Sequence, residues 1–143
     1  MPEKEIDNRF SKFGTVSFAG LTHVNDFIDY LDKGKVMGTK CKDCGQYFFP
    51  PRADCYACLA GNMEWFEVTG TGKLISYSTL RYAPAGFAED LPYTIALLDY
   101  NDYKVFGRID SSIPVEELSV GMEMTTVASK TANGQLIYVF QKP

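Results

Sequence analysis

All four cysteines of the chain lie in one short stretch, where they form two Cys-x-x-Cys motifs separated by ten residues. The motifs are Cys41, Cys44 and Cys55, Cys58. Each motif places two thiolates on one side of a tight loop, and two facing loops supply four sulfurs in the tetrahedral arrangement that zinc prefers. Gly45, directly after the first motif, can adopt the positive φ that such loops often need. The spacing therefore predicts a zinc ribbon.

Other uses of the four cysteines have less support. Two disulfides require an oxidising compartment, whereas the chain begins Met-Pro-Glu-Lys-Glu and lacks the pattern of a secretory signal. A thioredoxin-type redox pair needs one motif at a helix start rather than two facing loops. A rubredoxin-like iron site uses the same ligands, so iron is an alternative occupant. Because four cysteines close the coordination sphere, the predicted zinc is structural rather than catalytic.

Length and charge limit the class of protein. With 143 residues, the chain is long enough for one domain or two small ones. No apolar run approaches the ~20 residues of a membrane-spanning helix, and reduced cysteines without an export signal favour the cytoplasm. The net charge of −4 disfavours a general nucleic-acid binder, which needs many cations.

Basic residues are nevertheless concentrated around the cysteines. Between residues 33 and 52 there is one acid, Asp43, and there are five bases: Lys33, Lys35, Lys40, Lys42 and Arg52. Zinc with four thiolates carries a charge of about −2, which nearby lysines offset. A small anion site for a phosphate-bearing ligand is the alternative explanation, and we favour the first.

A helix is predicted over residues 22–33. Thr22 can cap its first turn and Gly34 is a suitable end. Its apolar residues recur at i, i+3, i+4 and i+7 and form one stripe: Val24, Phe27, Ile28 and Leu31. This stripe must be buried, either on the same chain or on a partner.

The residues before this helix show no sustained period. Residues 1–20 include four scattered apolar side chains: Phe10, Phe13, Val16 and Phe18. An arm that packs on a neighbour is as well supported as a short helix. His23 is the only histidine of the chain, and no second metal-binding residue adjoins it, so we expect a surface or capping role.

Hydrophobicity alternates with period two after the ribbon. Strands are predicted at 64–68, 72–81, 92–100, 103–109, 122–128 and 135–141. Turns at Asn101-Asp102 and Asn133-Gly134 join them into two hairpins, and one helical turn at 111–118 separates the hairpins. When 64–81 is counted as one strand interrupted at Gly70-Thr71-Gly72, the order is three strands, a helical turn and two strands. This order is typical of an OB-fold barrel, with another five-stranded barrel as the alternative. The loops at 82–91 and 130–134 flank the usual binding face of such a barrel.

The predicted protein is mainly β. It comprises an N-terminal arm and helix (1–34), a rubredoxin-like zinc ribbon with four cysteine ligands (35–63) and a C-terminal five-stranded OB-fold barrel (64–143). Gly72 and Gly107 fit the strand bends of a small barrel. Because so small a ribbon has almost no core, we expect Trp65 to join it to the barrel and metal removal to unfold it.

The sequence contains no recognisable catalytic set. It has neither a Gly-x-Ser-x-Gly elbow nor a phosphate-cradling Gly-x-x-x-x-Gly-Lys-Ser/Thr motif. A single histidine disfavours a Ser-His-Asp or Cys-His arrangement. The chain is therefore predicted to be a binding or scaffolding protein rather than an enzyme.

Several motifs occur together in a specific order. Gly-Thr-Lys-Cys-x-x-Cys-Gly (38–45) is followed by Phe-Pro-Pro-Arg-x-x-Cys-x-x-Cys (49–58), then by Trp65 and Gly-x-Gly-x-Leu-x-Ser (70–76). With the preceding helix and the barrel hairpins, this pattern resembles the zinc-ribbon/OB-fold family long classed as a domain of unknown function. The resemblance covers roughly residues 22–141, and all four metal ligands are kept.

The resemblance implies a non-catalytic accessory subunit in acyl-CoA metabolism, including lipid and isoprenoid metabolism. Similar proteins bind thiolase-like enzymes, and some bridge acetoacetyl-CoA thiolase and HMG-CoA synthase. The implied subunit binds acyl-CoA, bridges such enzymes, or does both. The family has no agreed catalytic residues to carry over, and the four cysteines carry over as ligands of structural Zn²⁺. Candidate contacts to the phosphates of CoA are three cations near the ribbon and the first barrel loop: Lys40, Arg52 and Arg81.

A single-stranded nucleic-acid binder is the alternative function, because zinc ribbons and OB barrels both serve that task. Aromatic residues of the barrel that can stack on bases are Tyr77, Tyr82, Tyr93, Tyr100, Tyr103 and Phe106. We favour barrel core for most of them, and the acidity of the chain also argues against this function.

Overall fold

The computed structural model describes Arg9 and residues 23–83, 88–132 and 134–143. These ranges contain one α-helix, α1 (Asp26–Asp32), and eight strands. The strands are β1 (Met37–Cys41), β2 (Tyr47–Phe48), β3 (Met63–Glu67), β4 (Gly72–Leu80), β5 (Tyr93–Asp99), β6 (Lys104–Ile109), β7 (Glu123–Lys130) and β8 (Leu136–Gln141). The predicted arm lies outside the described residues, apart from Arg9, as do Thr22 and Asn133.

Helix α1 begins later than predicted. Residues 23–25 form a turn rather than the first turn of the helix. The N–H groups of Phe27 and Ile28 donate to carbonyls three residues back, each at 3.0 Å, which is the tighter 3-10 pattern. The end at Gly34 is confirmed: its φ is +85°, and the N–H of Lys35 donates to the carbonyl of Tyr30 at 2.9 Å, as in a Schellman motif.

The apolar stripe of the helix packs on the same chain. All four stripe residues are buried, and α1 lies against β8, β1 and β7. The ring of Phe27 meets Phe49 of the ribbon at 6.2 Å and Tyr138 of β8 at 6.3 Å, both edge to face. The helix thus joins the two β modules. No helix in the described ranges is long and apolar enough to cross a membrane.

The ribbon is a three-stranded antiparallel sheet in the order β2-β1-β3. Its third strand corrects the sequence prediction, which placed residues 64–68 in the barrel. Strand β3 pairs with β1 over its whole length, from Met37 opposite Glu67 to Cys41 opposite Met63. A period-two pattern predicts a strand but does not tell which sheet the strand joins. The exact boundary between the two modules stays a prediction.

The remaining five strands close into a barrel in the order β4-β5-β6-β8-β7. Strand β4 pairs with both β5 and β7, and β6 runs parallel to β8. This closed connectivity is that of an OB fold, so the predicted fold class is confirmed. The predicted turn at Asn101 is present with φ of +74°, and a short 3-10 turn at Val115–Glu117 precedes β7.

Gly72 and Gly107 lie where an aromatic ring crosses the strand. A Cβ on Gly72 would meet the ring of Tyr100 at 2.8 Å, and one on Gly107 would meet Tyr138 at 2.8 Å and Phe140 at 2.9 Å. Real Cβ atoms do not approach ring carbons this closely. Both glycines are therefore required by packing inside the barrel rather than by an unusual backbone angle.

An aromatic cluster joins the ribbon to the barrel. Tyr103, from the turn between β5 and β6, lies 4.7 Å from Phe66 of β3 and 5.6 Å from Tyr47 of β2, measured between ring centroids. Tyr100 stacks on Tyr103 with an interplanar angle of 10°. Trp65 packs against the main core and against Tyr30 of the helix. Its predicted contact with the barrel stays a prediction.

Candidate functional site

The four cysteine sulfurs converge at the tip of the ribbon. All four Sγ atoms lie within 4.8 Å of one another, and the closest pairs, Cys41 with Cys58 and Cys44 with Cys55, are 3.5 Å apart. Zinc–sulfur bonds of ~2.3 Å place tetrahedral sulfurs about 3.8 Å apart, whereas a disulfide would bring two of them to ~2.05 Å. The donor set therefore fits one tetrahedral thiophilic ion and fills its coordination sphere.

The backbone forms the two cysteine loops in the same way. In the first loop the N–H of Cys41 donates to Gln46 and the N–H of Gly45 donates to Cys41, both at 2.9 Å. In the second loop the N–H of Cys55 donates to Ala60 at 2.9 Å and the N–H of Leu59 donates to Cys55 at 3.0 Å. These bonds place each pair of sulfurs on one side of its loop.

The protonation of the thiols is uneven. Burial raises the pKa of the Cys55 thiol, but backbone N–H donors from Cys58 and Ala57 outweigh it and lower the pKa to about 7. For Cys58, the N–H of Ala60 lowers the pKa, whereas the Cys41 sulfur and desolvation raise it to about 12. Zinc binds the deprotonated thiolates, so its binding displaces any proton that these thiols carry.

The three cations predicted to contact CoA do not form one site. Lys40 lies over the ring of Tyr47 at 4.8 Å, and the guanidinium of Arg52 lies 5.5 Å from Phe48 and 5.6 Å from Tyr56. Arg52 also lines a cavity of about 430 Å³ between the ribbon and the start of the helix, together with Trp65 and the exposed His23. Arg81 lines a different cavity in the barrel.

The barrel cavity has a volume of about 530 Å³ and lies beside the two loops predicted to flank an OB binding face. Two further cations line it with Arg81, namely Arg108 and Lys130. Arg108 lies 4.4 Å above the ring of Tyr93 and 3.4 Å from the carboxylate of Asp90. Arg108 was not among the predicted site residues, because only the pairing of β6 with β5 brings it to the cavity that Arg81 lines.

Apolar residues, hydroxyls and two carboxylates, Asp90 and Asp110, form the rest of this cavity. Ile113, Ile137 and Val139 supply apolar walls, and the hydroxyls of Thr79 and Thr94 bond to each other at 3.0 Å. A cavity with apolar walls and several cations suits a ligand that carries both an apolar chain and an anionic group.

Three of the six predicted stacking aromatics pack against the core. Tyr77, Tyr100 and Tyr103 pack against the main hydrophobic cluster, as expected. Tyr93 is half-buried beneath Arg108, whereas Tyr82 and Phe106 are exposed. The barrel therefore does not present these six aromatics as one continuous stacking surface.

Comparison with known proteins identifies both modules. Residues 29–64 match the family model described as ChsH2, rubredoxin-like zinc ribbon domain, and residues 65–129 match ChsH2, C-terminal OB-fold domain. A relative from Pyrococcus furiosus, named DUF35 domain-containing scaffold protein, is 33% identical over 101 residues, covering 71% of this chain and 74% of that protein. The chain belongs to the DUF35 family. Its ribbon, with four converging thiols, is a structural zinc domain.

Two further relatives are named as a scaffold protein and as a thiolase subunit. A scaffold protein of the same name from Methanocaldococcus jannaschii is 32% identical over 94 residues, which cover 64% of this chain and 66% of that protein. A protein from Thauera aromatica, named benzoylsuccinyl-CoA thiolase subunit BbsA, is 29% identical over 78 residues, which cover 54% of this chain and 53% of BbsA.

Solved structures show the same DUF35 fold. The chain superposes on a structure named Ltp2-ChsH2(DUF35) aldolase with a TM-score of 0.66 and 20% identity, covering 80% of this chain and 89% of that one. A DUF35 protein of unknown function from Sulfolobus solfataricus gives a TM-score of 0.50 and 23% identity, covering 71% and 74%. At these identities the matches show the fold alone.

Proposed function

We propose that this DUF35 protein is a non-catalytic accessory subunit of a thiolase-type enzyme complex in acyl-CoA metabolism. The observation that carries the proposal is its relatedness to proteins named scaffold proteins and to a named thiolase subunit. The metal centre supports it, because four thiolates fill a zinc ion and leave no position for a substrate. We assign Cys41, Cys44, Cys55 and Cys58 as the ligands.

We further propose which enzymes bind this subunit and that the complex forms in the cytoplasm. The partner is a thiolase-like enzyme of the acetoacetyl-CoA thiolase type, with HMG-CoA synthase as a second enzyme bridged by the same subunit in the cytoplasm. Such a bridge needs a rigid body with two usable faces. The aromatic cluster and helix α1 support this, since both connect the ribbon firmly to the barrel.

Acyl-CoA contact is a finer part of the proposal. Among the three cations first considered, Arg81 is the strongest candidate, because its cavity also contains Arg108 and Lys130 and has apolar walls. Lys40 and Arg52 lie over aromatic rings of the ribbon and form a separate set. A phosphate of CoA at the cavity mouth would be held by charge-assisted hydrogen bonds from these arginines.

Calorimetric titration with acetyl-CoA tests this contact. Loss of one charge-assisted hydrogen bond in Arg81→Ala is expected to weaken binding about tenfold. Lys104→Ala, an exposed cation on β6 that does not line the cavity, is the matched control and should bind like the wild type. Equal affinities for wild type and Arg81→Ala would remove Arg81 from the contact, and a loss confined to Arg52→Glu would move the contact to the ribbon.

The accessory role itself is tested by separating the subunits. The purified zinc-loaded chain, assayed with acetoacetyl-CoA and CoA, is expected to show no acyl transfer. Added to the thiolase-type enzyme of the same cell, it is expected to form a stable complex and to change the kcat or the stability of that enzyme. Acyl transfer by the chain alone would contradict a non-catalytic role.

A further inference from the structure

The two cysteine loops differ at one equivalent position. The residue after the second cysteine is Gly45 in the first loop and Leu59 in the second, and both donate their N–H to the first cysteine of their own loop. Both also lie in the left-handed region, with φ of +80° for Gly45 and +62° for Leu59. Glycine adopts this conformation without steric penalty, whereas a leucine is strained there.

The strained leucine makes little packing contact in return. Its side chain is 86% exposed, the largest exposure among the large hydrophobic residues of the ribbon that the structure describes. Glycine at this position would satisfy the same backbone bonds without exposing an apolar side chain to water. Folding of the ribbon therefore does not account for Leu59, and a contact outside this chain would.

Two neighbours on the same loop complete a small surface. Tyr56 is 61% exposed, and the guanidinium of Arg52 lies 5.6 Å from its ring. Within the part of the chain that the structure describes, no carboxylate lies within ion-pair distance of Arg52. We call Arg52, Tyr56 and Leu59 the knuckle surface. Tyrosine and arginine are among the residue types that contribute most to protein interfaces, and an exposed leucine adds apolar area that is buried on docking.

We propose that the knuckle surface docks into an apolar pocket of the partner enzyme, with Leu59 inserted and a carboxylate on the pocket rim paired with Arg52. This inference rests on the proposed function, which supplies a thiolase-type enzyme as the partner. The zinc centre fixes the loop, so Leu59 is presented with little loss of conformational entropy on binding. Because a buried arginine requires an anionic partner, Arg52 calls for an acidic side chain on the rim of the partner's pocket.

A second copy of this chain suits the surface less well. A two-fold symmetric contact would place the knuckle surface of one copy against that of the other. It would then bring two Arg52 side chains together, and like charges disfavour such a contact. Self-association through Leu59 is therefore an outcome that would overturn the proposal.

The test is the affinity of the zinc-loaded chain for the purified thiolase-type enzyme of its own cell, measured by biolayer interferometry. Leu59→Gly removes the side chain and the strain together, and Leu59→Asn keeps a residue type that tolerates positive φ. Both variants are expected to keep the zinc content of the wild type and to melt at the same temperature or a higher one, because they relieve the strain at this position. Both are expected to weaken binding about 30-fold, as for loss of one interface hot spot.

Control variants distinguish a failure of the docking proposal from a failure of the proposed function. Val120→Ala shortens an apolar side chain that is 68% exposed but lies on the barrel, and it is expected to leave the affinity unchanged. Arg52→Glu is expected to weaken binding and to remove part of its salt dependence. If both Leu59 variants bound the enzyme with wild-type affinity, the docking role of the knuckle surface would be overturned, and the proposed function would be unaffected. Failure of the wild-type chain to bind the enzyme would overturn the proposed function, and sedimentation showing a Leu59-dependent dimer would assign the surface to self-association.

Discussion

Gly107 lies in β6 close to the rings of Tyr138 and Phe140, which a Cβ at this position would approach to 2.8 and 2.9 Å. We predict that Gly107→Ala lowers the free energy of unfolding by about 2 kcal/mol, because the new methyl forces one ring off its position. Gly61→Ala is the matched control, since its Cβ would meet only the side chain of Asp54 at 3.3 Å. Urea denaturation of the zinc-loaded variants measures both changes, and equal losses would show that the barrel interior can relax.

Tyr103 gives a prediction about alkaline pH. Burial raises the pKa of Tyr103 to about 12, with further contributions from Tyr100, Tyr47 and Asp102. A tyrosine whose folded pKa exceeds its unfolded value of ~10 contributes stability that is fully present below pH ~10 and is lost as pH rises towards 12. Tyr103→Phe is therefore expected to lose less stability than the wild type between about pH 9 and 11. Parallel denaturation curves at the two pH values would test this, and identical losses would contradict it.

Metal removal acts on one part of the ribbon. The small cluster at its tip consists of Cys41, Cys55 and Phe48 with Ala60 and Met63 beside it, so two of its three buried members are metal ligands. We predict that chelation of zinc unfolds the tip, from residue 41 to 62, because little apolar burial remains there. The barrel is expected to stay folded.

Chelation is also expected to leave the base of the ribbon ordered. Val36 belongs to the main core and Met37 is buried, while Trp65 and Phe66 pack against that core. The sequence predicted that metal removal unfolds the whole ribbon, residues 35–63. The structure limits the segment that is expected to unfold to residues 41–62. Hydrogen exchange after chelation measures it, and protection that persists between residues 41 and 62 with zinc shown to be absent would contradict the prediction.

Elements with short-range signals were predicted well. The paired motifs at Cys41 and Cys55, the end of α1 at Gly34 and the turn at Asn101 depend on neighbours within a few residues, and all are present. Strand β3 was assigned to the wrong sheet, because pairing with β1 brings together residues up to 30 positions apart, as for Met37 opposite Glu67. Local alternation carries no information about such pairing.

The candidate ligand cavity was predicted only in part for the same reason. Arg81 was singled out from its loop, and the loop beginning at Lys130 was also recognised. Arg108 joins them only after the barrel closes and β6 comes to lie beside β5. The separation of Arg52 from Arg81 likewise depends on how the two modules pack, which the spacing of residues along the chain does not define.

At the scale of the whole molecule, ribbon, helix and barrel form a connected body with distinct surfaces. The barrel cavity lined by Arg81 and the knuckle surface around Leu59 share no lining residue. If both proposals hold, one molecule of the DUF35 protein would bind an acyl-CoA and an enzyme at separate surfaces. The surplus of acidic residues, which gives a net charge of −4, makes nucleic acid a poor partner for this body.

Affinity capture of the chain from its own cells is the direct test of whether it is a subunit of an acyl-CoA enzyme complex. The tagged protein is expressed at its natural level, captured in moderate salt and analysed by mass spectrometry with quantification of each protein. We expect to recover a thiolase-type enzyme in an amount nearly equal to that of the tagged protein, with or without HMG-CoA synthase. Nuclease treatment is expected to leave the amount of captured enzyme unchanged. Ribonucleoproteins or single-stranded nucleic acid in place of such an enzyme, lost on nuclease treatment, would contradict it.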